Sequence, residues 1–366
     1  MVDAQVVADR PVRSELLNLD LLRFLAAVGV VVYHYRENWF LGPTWAVDRL
    51  DGLSVLVDLF FALSGVVICH VYGHMTSARE YVSFLKRRVA RLGPLHWATL
   101  VFYGALFLIS ARLGYRLSHP GAANWNCFIP SALLVQSWGG CHAMVFNSVS
   151  WSISAEMAMY ILFPVFLLLS RRAAPVFLLA IALGAALYMG QIPRQQWSSW
   201  LPGFGVARAL VGFPLGVAIY QSRRLFVRWV PAWAFYVLVI LFPIGMLAGW
   251  PKAALIPLAY AIVAAGLAAD QRAVPGVVRR LAPLGDLTYG IYMLHRPVQA
   301  VMMSVLAVRI LKLGPAGQAW MIPVDMVIVV VLAAMTLVWF ERPWRRILSS
   351  IPLGSYGSRR PAESVA

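Results

Sequence analysis

The chain has 366 residues, of which 61% are hydrophobic and only 13% charged, against about half and about a quarter in an ordinary soluble domain. With a mean hydropathy of +0.73, that composition excludes a soluble cytosolic enzyme, a disordered chain and a fibrous protein. The 31 Lys and Arg outnumber the 15 Asp and Glu, for a formal charge of +16. Nearly all the cations sit between long apolar runs, where they serve as membrane-surface anchors rather than a nucleic-acid-binding face.

In chain order, ten apolar runs reach the roughly 17 to 25 residues needed to cross a bilayer. They are 19–35, 53–72, 92–110, 149–169, 174–190, 202–220, 233–249, 253–269, 284–308 and 320–340. A polar stretch precedes the first run and no small-residue cleavage site is visible, so no secretory signal is expected. There is no internal repeat, and the loops are too short for a second folded domain. The expected fold is an all-α polytopic membrane protein with about ten transmembrane helices. Its membrane domain covers 19–346, flanked by cytoplasmic segments 1–18 and 347–366, the latter a disordered tail.

Charge placement sets the orientation. With the N-terminus inside, each cytoplasmic segment carries at least two cations, from Arg10, Arg13 and Arg23 through Lys86, Arg87, Arg88 and Arg91 to Arg342, Arg345 and Arg346. No outer loop carries more than two, and only Arg208 and Arg296 fall within spans. This is the positive-inside pattern, and it puts both termini in the cytoplasm.

Ionisable residues inside spans become candidates for function, because each costs roughly 2.5–3.5 kcal/mol or more at mid-bilayer unless paired or solvated. In the first span, eleven residues separate Arg23 from His34. That turns a helix about 20° past three full turns and climbs about 16 Å. The two share one stripe, Arg23 at the inner surface and His34 in the outer half. A snorkelling arginine and a histidine satisfied by a carbonyl would read the same way. Asp58, in the outer half of the second span, needs a partner, and His34 is an economical one. Ser64 and Gly65 are small enough to let another helix approach.

Arg88 and Arg91 lie three apart before the third span, so on a helix they project together. Two guanidinium forks suit a phosphate, and a basic run at a membrane edge also suits anionic lipid. The fourth span opens with Trp151, Ser152 and Glu156, followed by Tyr160. The ninth carries Asp286, Tyr289, Tyr292 and His295, and the tenth ends in Glu341-Arg342-Pro343.

Taken together, these motifs resemble the acyltransferase 3 family of integral-membrane O-acyltransferases. The matching elements are Arg23 with His34, Phe61-Ala62-Leu63-Ser64-Gly65, Arg88-x-x-Arg91 and Trp151-Ser152-Ile153-x-x-Glu156. Gly285-Asp286-x-x-Tyr289-x-x-Tyr292-x-x-His295 and Glu341-Arg342-Pro343 complete the series. The resemblance runs from about Leu19 to Arg346. It implies transfer of an acyl group, commonly acetyl, from acyl-CoA to a hydroxyl of a sugar in O-antigen, exopolysaccharide, peptidoglycan or nodulation factors, or of a macrolide. It also implies a bacterial inner-membrane location and no metal. Some relatives carry an extracytoplasmic SGNH-type domain after the membrane part. About twenty polar residues follow Arg346 here, so a separate extracytoplasmic transferase is an expected partner if one is needed. Val66 stands where an aromatic residue often follows the Leu-Ser-Gly.

On this resemblance Arg88 and Arg91, with Arg23, hold the CoA phosphates. His34 takes the proton of the acceptor hydroxyl or carries the acyl group itself. Asp58 or Glu156 fixes the His34 tautomer, as a carboxylate does behind a catalytic imidazole. Ser64, Trp151, Ser152, Tyr289, Tyr292 and His295 support substrate or structure. A transporter or flippase for a lipid-linked glycan is the alternative, since intramembrane His and carboxylates also serve proton relays. It lacks support from repeats or paired broken helices. A polyprenyl-linked glycosyltransferase would want outer acidic metal ligands, for which Asp48 and Asp51 are the only close pair.

Cys69 falls within the second span and reads as a small apolar residue. Cys127 and Cys141 share the long outer loop on the oxidising side, where a disulfide between them is expected, free thiols being the alternative. Closing a ring of roughly fifteen residues contributes about 3 kcal/mol on the chain-entropy estimate. It would pin the apolar stretch 128–135 against the outer face, bordering the acceptor entrance.

Overall fold

The computed structural model describes residues 15–39, 43–114, 120–141, 144–173 and 204–351, with isolated positions between 176 and 187. Among the described residues every regular element is helical. The principal ones are α1 (Leu17–Tyr35), α2 (Leu56–Tyr72), α3 (Ala78–Arg112), the short α4 (Phe128–Ala132), α5 (Ser150–Ala173) and α6 (Phe204–Gln221). They are followed by α7 (Ala232–Leu247), α8 (Lys252–Asp270), α9 (Thr288–Gln299), α10 (Pro315–Thr336) and α11 (Arg342–Ser350).

Among the described residues, seven helices are long and apolar enough to cross a membrane, or eight if Arg223–Trp229 and Ala232–Leu247, bent by 93° at their junction, count as one span. The shorter apolar helix Gly205–Gln221 stands where the sixth run predicts one. Most of the fifth run, 174–190, and most of the two terminal segments lie outside the described residues. The chain is an all-α polytopic membrane protein.

Two local features place the site. α3 begins fourteen positions before the predicted run, because Ser77 and Glu80 form a capping box: the Ser77 hydroxyl accepts the Glu80 N–H at 3.2 Å and the Glu80 carboxylate accepts the Ser77 N–H at 3.0 Å. This satisfies amide donors that would be orphaned at a helix start and carries the basic run Lys86–Arg91 on a helix. At α1, Asp270 from the end of α8 does the same work from a distance. It accepts from the Asn18 N–H at 2.8 Å and the Leu19 N–H at 3.2 Å.

In lipid, helices associate through close packing rather than through exclusion of water. Where α2 crosses α6, a Cβ on Gly65 would collide with the Phe213 carbonyl, and one on Gly216 with the Ala62 carbonyl. Only glycine permits that approach, and it brings the polar face of α2 against α6.

The loop after α3 departs from expectation. The Cys127–Cys141 disulfide is formed, with Cα atoms 6.1 Å apart, but the stretch between the cysteines does not lie on the outer face. His96 Nε2 lies 2.7 Å from the Ser131 carbonyl, and the Trp97 indole donates to the Ala132 carbonyl at 2.8 Å. His96 is sixteen residues below Arg112, so the loop re-enters by about 24 Å along α3. Irregular backbone at such depth is tolerated only where protein satisfies it, and the α3 side chains do so. On the other wall, Gln136 reaches the Ser150 carbonyl at 3.2 Å and the Trp138 indole donates to the Ser154 carbonyl at 2.8 Å.

Candidate functional site

α1, α2, α3, α5 and α9 surround a cavity of about 840 Å³, part of it open to the outside. Arg23, Arg88 and Arg91 line it from two helices, facing Ser64, Glu156 and Tyr160. The spacing of three that sequence alone leaves open between lipid anchor and phosphate clamp thus aims both α3 guanidiniums inward. Arg88 donates to the Tyr72 hydroxyl at 3.1 Å and lies over the Tyr72 ring at 5.2 Å. Its Nε is buried without a hydrogen-bond partner. Buried polar groups are ordinarily paired, so an anion seated among the three arginines fits the donors present.

Glu156 is held in this cavity. The Ser64 hydroxyl donates to its Oε1, and the Tyr160 hydroxyl donates to the same oxygen at 2.5 Å. Ser64 is six residues along α2 from Asp58, about 9 Å further in. Ser64 therefore does more than make room for a helix; that role falls to Gly65.

Asp58 is buried and fully engaged elsewhere. Arg208 of α6 donates through Nε to Oδ1 at 2.8 Å and through Nη2 to Oδ2 at 2.7 Å, and also bonds the Ser54 carbonyl. The expected Asp58–His34 pairing is not formed, because Arg208, a cation within a span, is the stronger partner for a buried carboxylate.

His34, at the far end of α1, has no ring hydrogen bond among the described residues. Its ring lies beside that of His295, with centroids 5.1 Å apart and planes inclined by 34°. The three catalytic candidates therefore do not converge: His34 sits with His295, Asp58 with Arg208, and Glu156 with Ser64 and Tyr160. Tyr292 links the two regions. Its ring lines the cavity with Phe60, 6.1 Å away, and stands 6.0 Å from the His295 ring. The Tyr292 hydroxyl meets the Ser152 hydroxyl at 2.6 Å, Tyr289 donates to the Leu92 carbonyl, and the Arg208 guanidinium lies over Trp151 at 5.5 Å.

Sequence reading passed over two residues. Arg208 was visible as a cation within a span but carried no assigned role. Asp325 of α10 is completely buried and accepts from the Tyr35 hydroxyl; a carboxylate inside the tenth run was the signal. Among the described residues no cluster of His, Cys, Asp and Glu could hold a metal ion.

The acyltransferase domain profile of the acyltransferase 3 family matches residues 16–340. Nodulation protein 10 of Rhizobium leguminosarum bv. viciae is 26% identical over 91% of this chain and 94% of that protein. Acyltransferase MdmB of Streptomyces mycarofaciens is 32% identical over 41% of this chain, an alignment spanning only 39% of MdmB. The putative peptidoglycan O-acetyltransferase YrhL of Bacillus subtilis is 25% identical over 89% of this chain, which spans about half of that relative's length. No solved structure matches the chain. With a profile match running from the first turn of α1 to the end of the last span, the chain belongs to the acyltransferase 3 family.

Proposed function

We propose that the protein transfers an acyl group, acetyl in the simplest case, from cytoplasmic acyl-CoA to a hydroxyl of a carbohydrate or glycoconjugate at a bacterial inner membrane. The observation that carries this reading is the cavity shared by Arg23, Arg88 and Arg91. Three guanidiniums with an unpartnered Nε among them suit the phosphates of a CoA ester. The relatives supply the reaction class: one is named an acyltransferase and another a peptidoglycan O-acetyltransferase. The disulfide supports the orientation proposed, in which the loop after α3 faces the oxidising side and the arginines face the cytoplasm.

In this reading the pantetheine arm runs up the cavity toward Phe60 and Tyr292, beyond which His34 stands. His34 takes the acceptor hydroxyl proton as oxygen attacks the thioester carbonyl. The C–O bond forms, the C–S bond breaks, and the proton passes to the departing thiolate, releasing CoA. Glu156, bonded by two hydroxyls, sets the electrostatic environment of the arginine-lined end. Asp58 neutralises Arg208 and holds α2 to α6.

The test is acceptor-dependent CoA release by membranes supplied with acetyl-CoA and a panel of glycans and glycolipids. Release that requires one acceptor, with ester formation on it, is expected. Transport of a glycan without CoA release would overturn the assignment in favour of a flippase.

A further inference from the structure

His295 is completely buried on α9, and the transfer chemistry above leaves it unused. Its Nδ1 lies 3.2 Å from the Ile291 carbonyl, one turn earlier on the same helix. A carbonyl only accepts, so Nδ1 carries the hydrogen and Nε2 presents its lone pair. That Nε2 is buried and has no hydrogen-bond partner. The neighbouring ring is His34, at 5.1 Å between centroids; no hydrogen bond joins the two rings as they stand, and a rotation of the His34 ring or one bridging water closes the gap.

The relative position of the two imidazoles is fixed by side chains that tie the end of α1 to α9. Gln299 donates to the His34 carbonyl at 3.2 Å and to Asn38 Oδ1 at 2.9 Å, while Arg296 donates to Gln299 Oε1 at 2.7 Å. Among the described residues, Asp58 is held by Arg208 and Glu156 by Ser64 and Tyr160. Beyond His295 itself, the charged groups that act on His34 are the cations Arg296 and Arg36.

We propose that His295 is the positioning residue behind His34, its Nε2 accepting the His34 N–H in the place usually held by a carboxylate. This rests on the reading of His34 as the base. The bond fixes one tautomer of His34 and leaves its other nitrogen free for the acceptor hydroxyl. When that nitrogen takes the hydroxyl proton, His295 shares the imidazolium charge without keeping the proton, which goes on to the CoA thiolate. A neutral imidazole does this without burying a negative charge in the membrane.

The test uses two variants in the full-length protein. In His295→Gln the amide oxygen stands where Nε2 was and can still accept from His34. In His295→Asn the amide nitrogen replaces Nδ1, and no acceptor faces His34. The expected result is a fall in kcat of about 100-fold or more for the Asn variant, with KM for acetyl-CoA within about twofold. The Gln variant keeps at least about a tenth of the wild-type kcat. Equal loss in both variants, or full activity in the Asn variant, overturns the proposal. His34→Ala is assayed alongside: transfer surviving in His34→Ala removes the base reading itself, a different failure. If both His295 variants lose acetyl-CoA binding, nitrogen NMR of the histidine-labelled wild type decides instead. A hydrogen-bonded His295 Nε2 resonance that moves in His34→Ala supports the pairing, and one that does not move overturns it.

Discussion

Arg208 grips Asp58 through two parallel hydrogen bonds, Nε to Oδ1 and Nη2 to Oδ2, joining helices 150 residues apart in sequence. Asp58 is almost fully enclosed, so removing one partner strands the other charge in a low-dielectric interior. Asp58→Ala or Arg208→Ala is expected to destabilise by about 3–5 kcal/mol, whereas replacing both by leucine recovers most of it. Thermal unfolding in detergent measures this. The paired leucine variant is expected to keep acyl transfer, because the two carboxylate oxygens are turned to Arg208. Complete loss of transfer in a stable double variant would return Asp58 to the chemistry.

His34→Ala is expected to lower transfer by about 100-fold or more, the ordinary range for loss of a general base. KM for acetyl-CoA should stay the same, since His34 stands eleven residues, about 16 Å, along α1 from Arg23 and does not line the arginine cavity. Steady-state kinetics on purified protein, with expression and insertion checked by gel, separate this from misfolding. Substantial residual transfer would sink the assignment.

The donor end of the cavity behaves differently. Arg88→Ala or Arg91→Ala is expected to raise KM for acetyl-CoA with a smaller effect on kcat, because phosphate contacts remote from the thioester contribute mostly uniform binding. Arg88→Lys should recover little, as a point charge cannot reproduce a planar fork that also packs over Tyr72. An unaltered donor KM in all three variants would leave the basic run as a topological anchor.

The spans that the structure describes were legible because each needs only a local property, a long apolar run. The arginine pair on α3 was legible because a spacing of three is local too. Partner identities were not. Ser64 finds Glu156 across 92 residues, and the residues between carry no trace of which carboxylate will face which hydroxyl. His34 and Asp58 at similar depth suggested a pair, but depth constrains one coordinate of three. The helix crossing at Gly65 and Gly216 sets the other two and turns Asp58 to Arg208. The re-entrant loop was missed for a related reason. The stretch 128–135 is too short to span, and nothing local says that His96 and Trp97 offer donors to its carbonyls.

That loop gives the remaining prediction. With Cys127 and Cys141 bonded and Cys69 buried, a membrane-impermeant thiol reagent applied outside intact cells should label neither loop cysteine until a reductant is added. Replacing both by serine is expected to destabilise the protein by about 3 kcal/mol, the chain-entropy value for a ring of this size. The loss should fall first on the loop, whose other ties are hydrogen bonds to His96, Trp97, Ser150 and Ser154, each contributing about 1 kcal/mol net, and the packing of Phe128 against Trp125 and Phe146. Protease cleavage between 127 and 141 in the serine variant, but not in the wild type, reads that local opening directly. Full labelling from outside without reductant would mean that the bond is absent in the cell, whereas labelling by a membrane-permeant reagent alone would mean that the loop faces the cytoplasm and that the orientation of α3 has to be reversed.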